Sequence, residues 1–138
     1  MHFEYDIEGG NFTKAGFASS QFKKILKQLN VDPVIIKRIV VALYEAEMNI
    51  VAHAYFGKIS IEVEPEQIVI SLTDTGPGIP DIGKAMQIGF STASPAVREM
   101  GFGAGMGLPN IQNNADKLKI TSEVGKGTKV EITTYLKN

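Results

Sequence analysis

The chain contains no cysteine, which excludes disulfides and thiolate metal sites while fitting any compartment. Neither charge is in excess: 14 basic and 15 acidic side chains give a formal net charge of -1. Such a balance marks neither a general nucleic-acid binder nor a membrane-surface binder, so a charged ligand has to be held locally. No uninterrupted apolar run approaches membrane-spanning length. The opening Met1-His2-Phe3-Glu4-Tyr5-Asp6 lacks the basic and apolar regions of a secretory signal. A cytoplasmic protein that engages neither nucleic acid nor membrane is expected. Repeats, linkers and low-complexity segments are also missing. What is present, 138 residues with 43% apolar content, suits one domain, residues 1–138, with a real core and no second domain.

Glycine is used unevenly. Four stand at alternate positions in Met100-Gly101-Phe102-Gly103-Ala104-Gly105-Met106-Gly107-Leu108-Pro109-Asn110, running into a helix-like segment. Such spacing frees the backbone and leaves no side chains between its N–H groups and a ligand, as a loop around phosphate oxygens requires. A mobile surface loop satisfies the same pattern.

In chain order, Phe3 to Ile7 reads as a short strand closed by Glu8-Gly9-Gly10. Phe22, Ile25, Leu26 and Leu29 then recur at helical spacing, predicting a helix from about Thr13 to Gln28 that ends at Asn30. Asp32-Pro33 starts a second helix, with the carboxylate as cap and the proline where its missing N–H is harmless. It is expected to run to Tyr55, with Gly57 as its stop. Two alternating strands follow, Lys58 to Val63 and Ile68 to Thr73, as an antiparallel pair. Asp81 to Ile88 reads as a short helix, and 89–100 as an irregular segment with the makings of a lid. A helix marked by Leu108, Ile111 and Ala115, with Asn110 and Asn113 exposed, and a closing hairpin, Leu118 to Ser122 and Thr128 to Tyr135, complete the chain. The order β α α β β α, lid, α β β predicts an α+β fold, a mostly antiparallel sheet with helices on one face.

On the second helix, Ile36, Val40, Leu43, Ile50 and Ala54 gather on one side at about 100° per residue. Glu45, Asn49 and His53, spaced by four, form a polar row away from that arc, either a solvated face or the lining of a cleft. Glu47 falls near the apolar arc and needs a partner, or else the helix is covered differently there. After the second strand of the pair, Asp74-Thr75-Gly76-Pro77-Gly78-Ile79-Pro80 is either a tight turn or a site.

These three segments occur in the order of the N, G1 and G2 boxes of the Bergerat-fold (GHKL) ATPases, which include gyrase and sensor histidine kinases. The chain resembles that superfamily over nearly its whole length. Within it, Glu45-x-x-x-Asn49-x-x-x-His53 is similar to the small anti-sigma-factor serine kinases and stress-signalling switch kinases. Residues 85–93 resemble the switch-kinase lid, and Gly125-Lys126-Gly127-Thr128 precedes the last strand as it does there. The resemblance implies a two-layer α/β sandwich with an ATP lid, and ATP and Mg²⁺ as cofactors. Asn49 would hold Mg²⁺ through its amide oxygen, and Glu45, one turn earlier, would take a proton from an attacking hydroxyl or water. His53 would order a neighbouring loop or cap the face. Asp74 would accept from the adenine amino group, selecting ATP over GTP, which presents a carbonyl oxygen there. Gly76 and Gly78 would keep the backbone clear of the base, and Thr128 would add a polar contact. Gly103, Gly105 and Gly107 would present N–H groups to the phosphates, Gly101, Met106 and Leu108 would also bind the nucleotide, and Arg98 and Lys84 are the lid-side charges. The resemblance further implies a kinase acting on a STAS-type antagonist protein, or an ATP-dependent anti-sigma or partner-binding module. Binding of a sigma factor and homodimer formation stay open at this level.

Overall fold

A computed structural model describes residues 1–86 and 107–136. Strand β1 (His2–Glu8) is followed by a short 3-10 turn (Phe12–Lys14) and helices α1 (Phe17–Gln28) and α2 (Pro33–His53). Strands β2 (Phe56–Val63) and β3 (Gln67–Thr75) lead to a one-turn helix α3 (Ile82–Ala85). Helix α4 (Gly107–Asn113) and strands β4 (Lys117–Glu123) and β5 (Gly127–Tyr135) end the described chain. The five strands form one antiparallel sheet in the order β1-β2-β3-β5-β4.

Alternation in the strands decides which face is covered. Ile61 pairs with Ile70 and Ile70 with Ile132, while Ile59 pairs with Leu72 and Leu72 with Val130. All of these are buried, together with Phe22 and Leu26 of α1 and Ile39 and Leu43 of α2. Lys58, Ser60, Glu62, Ser71, Thr73, Lys129 and Glu131 alternate with them and so point to the opposite face. The fold is therefore the expected mixed α+β arrangement.

Local signals placed several boundaries correctly. Asp32 Oδ1 accepts from Val34 N at 2.8 Å with Pro33 beside it. Asn30 takes a left-handed conformation, φ 57, and Val31 N donates to Leu26 O while Asn30 N donates to Lys27 O. That pair of bonds closes α1 as a Schellman motif.

Three expectations need correction. Helix α1 begins at Phe17 rather than near Thr13, because residues 12–14 form a separate turn capped by the Asn11 side chain. Helix α2 ends at His53, and Gly57 lies inside β2 rather than serving as a stop. The reversal is made instead at Ala54 and Tyr55, where Tyr55 N donates to Thr75 O and Gly9 N to Tyr55 O. Gly57 is needed for a different reason, since a Cβ there would lie 2.7 Å from the Ile50 side chain. Asn110, expected at the surface, is half-buried.

Glu47 is fully buried and has found its partner. Its carboxylate accepts from Gly16 N at 3.1 Å, Ala18 N at 3.2 Å, Ser19 N at 3.0 Å and the Ser19 hydroxyl. Helix α1 opens at Gly16 without a side-chain cap of its own. A residue of α2 thus satisfies its free N–H groups and meets the positive end of its dipole.

The Gly9-Gly10 turn locks β1 to the end of α2. Gly10 N donates to Val51 O at 2.8 Å, and a Cβ on Gly9 would fall 1.8 Å from the Ala54 carbonyl oxygen. Backbone, not a flexible side chain, would have to move. Gly9→Ala is expected to lower stability by about 2 to 4 kcal/mol, read from the midpoint of urea unfolding at unchanged slope.

Candidate functional site

Helix α2 presents Glu45, Asn49 and His53 as a half-buried row. Helix α4 packs along it. Gly107, the first residue of α4, lies so close that a Cβ there would come 3.1 Å from Asn49 Oδ1. One turn later Asn110 Nδ2 donates to Glu45 Oε1 at 3.3 Å, and Asn114 Nδ2 donates to Asn110 O at 2.8 Å. Gly107 and Asn110, three residues apart, share a face of α4, which is why Asn110 is half-buried rather than exposed. The row is therefore not a freely solvated face at Glu45 and Asn49. His53 is half-buried at the helix end, and burial pushes its imidazole below the ordinary value. Burial thus favours the uncharged ring, which suits ordering of neighbouring chain better than pairing with an anion.

Asp74 sits near the end of β3, half-buried. Its Oδ1 accepts from Thr128 N at 3.1 Å. Burial pushes the carboxyl above its usual range, and the Thr128 N–H opposes that shift. The turn after Asp74 is held by the β4–β5 hairpin: Gly76 N donates to Lys126 O at 3.2 Å, Gly125 N to Pro77 O at 2.8 Å, and Ile79 N to Ser122 Oγ at 2.7 Å. Gly78, φ +78, would bring a Cβ within 2.5 Å of Glu123 O. A Cβ on Gly76 would lie 3.0 Å from Ala54 Cα. Both glycines thus give room to the protein's own backbone. Ser122, which also bonds Gly127 O and the Thr128 hydroxyl, was missed from sequence. Its spacing from Gly125, Gly127 and Thr128 is the only signal that could have found it.

Residues 35–138 match the model of the histidine kinase-, DNA gyrase B- and HSP90-like ATPases. The chain belongs to that family. It is 34% identical over 119 residues to the serine/threonine-protein kinase RsbT of Bacillus subtilis, with 83% of this chain and 84% of the relative covered. It is 39% identical over 113 residues to an anti-sigma F factor of Caldanaerobacter subterraneus subsp. tengcongensis, covering 77% of this chain and 76% of the relative. An anti-sigma F factor of Geobacillus stearothermophilus is 34% identical over 143 residues, covering 99% and 90% respectively. A crystal structure of the RsbU and RsbW domains of a Mycobacterium tuberculosis protein matches 99% of this chain with a TM-score of 0.66. This chain spans 32% of that structure at 16% identity, so the likeness concerns the fold alone.

The motif residues singled out from the sequence lie, where described, on four segments. Glu45, Asn49 and His53 lie on α2; Asp74, Gly76 and Gly78 at and after the end of β3; Gly107 and Leu108 at the start of α4; Thr128 at the start of β5. Leu108 is buried. Arg98, Gly101, Gly103, Gly105 and Met106, with the expected lid, lie outside the described residues. Of the helix expected over 81–88, α3 is seen after Asp81, whose Oδ1 accepts from Lys84 N at 3.0 Å, and 87–88 lie outside the described residues. Among the described residues, no helix is long and apolar enough to cross a membrane.

Proposed function

We propose that residues 1–138 form one ATP-binding serine/threonine kinase domain. It transfers the γ-phosphate of MgATP to a small STAS-type antagonist protein and so regulates partner switching in transcription. One observation carries this reading: the three motif segments meet along a single helix. Gly76, beside Asp74, abuts Ala54 just past the end of α2; Gly107 abuts Asn49; Asn110 bonds Glu45. From Ala54 to Glu45 α2 measures about 14 Å at about 1.5 Å per residue. That order and length suit a nucleotide laid along the helix, with the base at Asp74, the phosphates at Gly107 and Asn49, and the accepting hydroxyl at Glu45.

Each group suits its surroundings. Asp74 supports recognition of a donor at the adenine amino position, since its Oδ1 is already engaged by Thr128 N and a carboxylate oxygen remains to accept. Asn49 offers a neutral amide oxygen. Among the described residues no group of three or more His, Cys, Asp or Glu could hold a metal ion. A single amide oxygen fits magnesium, which keeps several waters and binds phosphate oxygens. Mg²⁺, when bound, supplies the charge neutralisation that phosphoryl transfer needs. Glu45 is placed to receive the proton of the attacking hydroxyl, while Asn110 donates to its Oε1 and holds the carboxylate in place.

The test mixes the full chain with γ-labelled MgATP and STAS-domain proteins. Label on a serine or threonine of the STAS protein is the expected result. Nucleotide binding with no label on protein would replace the kinase by the second reading, an ATP-dependent anti-sigma or partner-binding module, which the anti-sigma F factors among the relatives favour.

Asp74 supplies an independent check. Because burial raises its pKa above 3.8, the native state binds this proton more tightly than the unfolded chain does. The group's contribution is fully present below the unfolded value and is lost as pH rises through the folded one. Asp74→Asn is therefore expected to leave the ligand-free protein at least as stable at pH 7, with the gain shrinking in acid. ATP at a hundred times its Kd should stabilise the parent protein by about 2.7 kcal/mol, and GTP far less. Equal shifts by ATP and GTP in the parent protein would remove Asp74 as the base reader.

A further inference from the structure

Ser122 is a hub without an assigned role. It stands opposite Thr128 in the β4–β5 register, and its hydroxyl has three partners. Ile79 N donates to it at 2.7 Å, Gly127 O lies at 3.1 Å, and Thr128 Oγ1 lies at 2.8 Å. A serine hydroxyl has one proton and two lone pairs. An amide N–H cannot accept and a carbonyl cannot donate. All three contacts are hydrogen bonds under one assignment alone: Ser122 gives its proton to Gly127 O, and Thr128 gives its own to Ser122.

That assignment has a consequence for Thr128. Its backbone N–H is committed to Asp74 Oδ1, and its hydroxyl proton is committed to Ser122. Toward a ligand it has lone pairs and nothing to donate. We propose that Ser122 is a positioning residue that locks Thr128 as a pure acceptor beside Asp74, and thereby sharpens discrimination between 6-aminopurine and 6-oxopurine nucleotides. The proposal rests on the reading of Asp74 and Thr128 as base contacts. Two adjacent acceptors suit an exocyclic amino group and are mismatched to a carbonyl at the same ring position. Without Ser122 the Thr128 hydroxyl is free to rotate and donate to that carbonyl, and the mismatch softens.

The probe is a pair of nucleotides that differ at the 6-position, ATP and inosine triphosphate, with dissociation constants measured by calorimetry on the full chain. Ser122→Ala is expected to lower the ratio of the two constants by about tenfold, the size of one lost polar discrimination. Ser122→Thr, which restores a hydroxyl, is expected to recover it. Ser122→Cys keeps the volume but donates poorly. It is expected to show the same fall, and serves if the alanine variant does not fold. An unchanged ratio in the alanine or cysteine variant, with both nucleotides weakened alike, would make Ser122 merely structural and overturn the proposal. Failure of the underlying reading looks different: the parent protein itself would bind the two nucleotides equally.

Discussion

Glu47→Ala is expected to destabilise the protein by about 3 to 5 kcal/mol, a fifth or more of the stability of an ordinary domain. The reason is what it leaves behind. Gly16, Ala18 and Ser19 would each lose the acceptor of a backbone N–H, buried at Ala18 and Ser19 and half-buried at Gly16, and the Ser19 hydroxyl would lose its partner too. Each buried donor left unmade costs about 1 to 3 kcal/mol. The two carboxylate oxygens share the donors between them. Oε2 takes Gly16 and Ala18, and Oε1 takes both groups of Ser19. Glu47→Gln keeps the volume but sets an NH₂ against donors on one side, so it should still lose at least about 1 kcal/mol. Urea unfolding of the three proteins gives the comparison. A glutamine variant as stable as the parent would show that charge and a second acceptor are not needed to start α1.

Glu45→Gln is expected to slow phosphoryl transfer by about a hundredfold to ten-thousandfold, the range that a positioned general base contributes. Binding of MgATP should change little, because glutamine is isosteric and its oxygen can still accept from Asn110 Nδ2, as Glu45 Oε1 does. Asn49→Ala should show the reverse, weakening of MgATP binding itself, since its amide oxygen lies where Gly107 brings the start of α4. Single-turnover transfer of label, measured at saturating MgATP, separates the two. Transfer by the Glu45→Gln protein within tenfold of the parent rate would strip Glu45 of the base role and leave its bond to Asn110 as a helix-packing contact. Glu45 and Asn49 lie on the opposite side of α2 from Glu47, about 200° away at about 100° per residue. One helix thus carries its anchor on one side and the proposed chemistry on the other.

Much of this was legible before any coordinates. The Asp32-Pro33 start, the Asn30 stop, the alternation in β2 and β3 and the closing hairpin are all written in neighbouring residues. Motif order also pointed to the family to which the chain belongs. The buried side of α2 is wider than its wheel predicts. Val40 and Ala54 are half-buried, whereas Ile39, Ala42, Ala46, Met48 and Val51 join the core because the helix is covered by α1, α4 and the sheet together. Glu47 near the apolar arc does need a partner, yet that partner lies about thirty residues earlier and carries no local mark.

Composition, periodicity and capping residues by themselves determined which segments become helix or strand and which three motifs the chain carries, because those properties depend on contacts a few residues apart. Tertiary structure alone decided that Asn110 meets Glu45 across 65 positions and that Ser122 holds Ile79 across 43. It also put Gly9, Gly57 and Gly107 where a side chain would crowd its neighbours. Hydrogen-bond partners and steric room are set by whichever backbone the folded chain brings near, and a residue's own neighbours do not encode that.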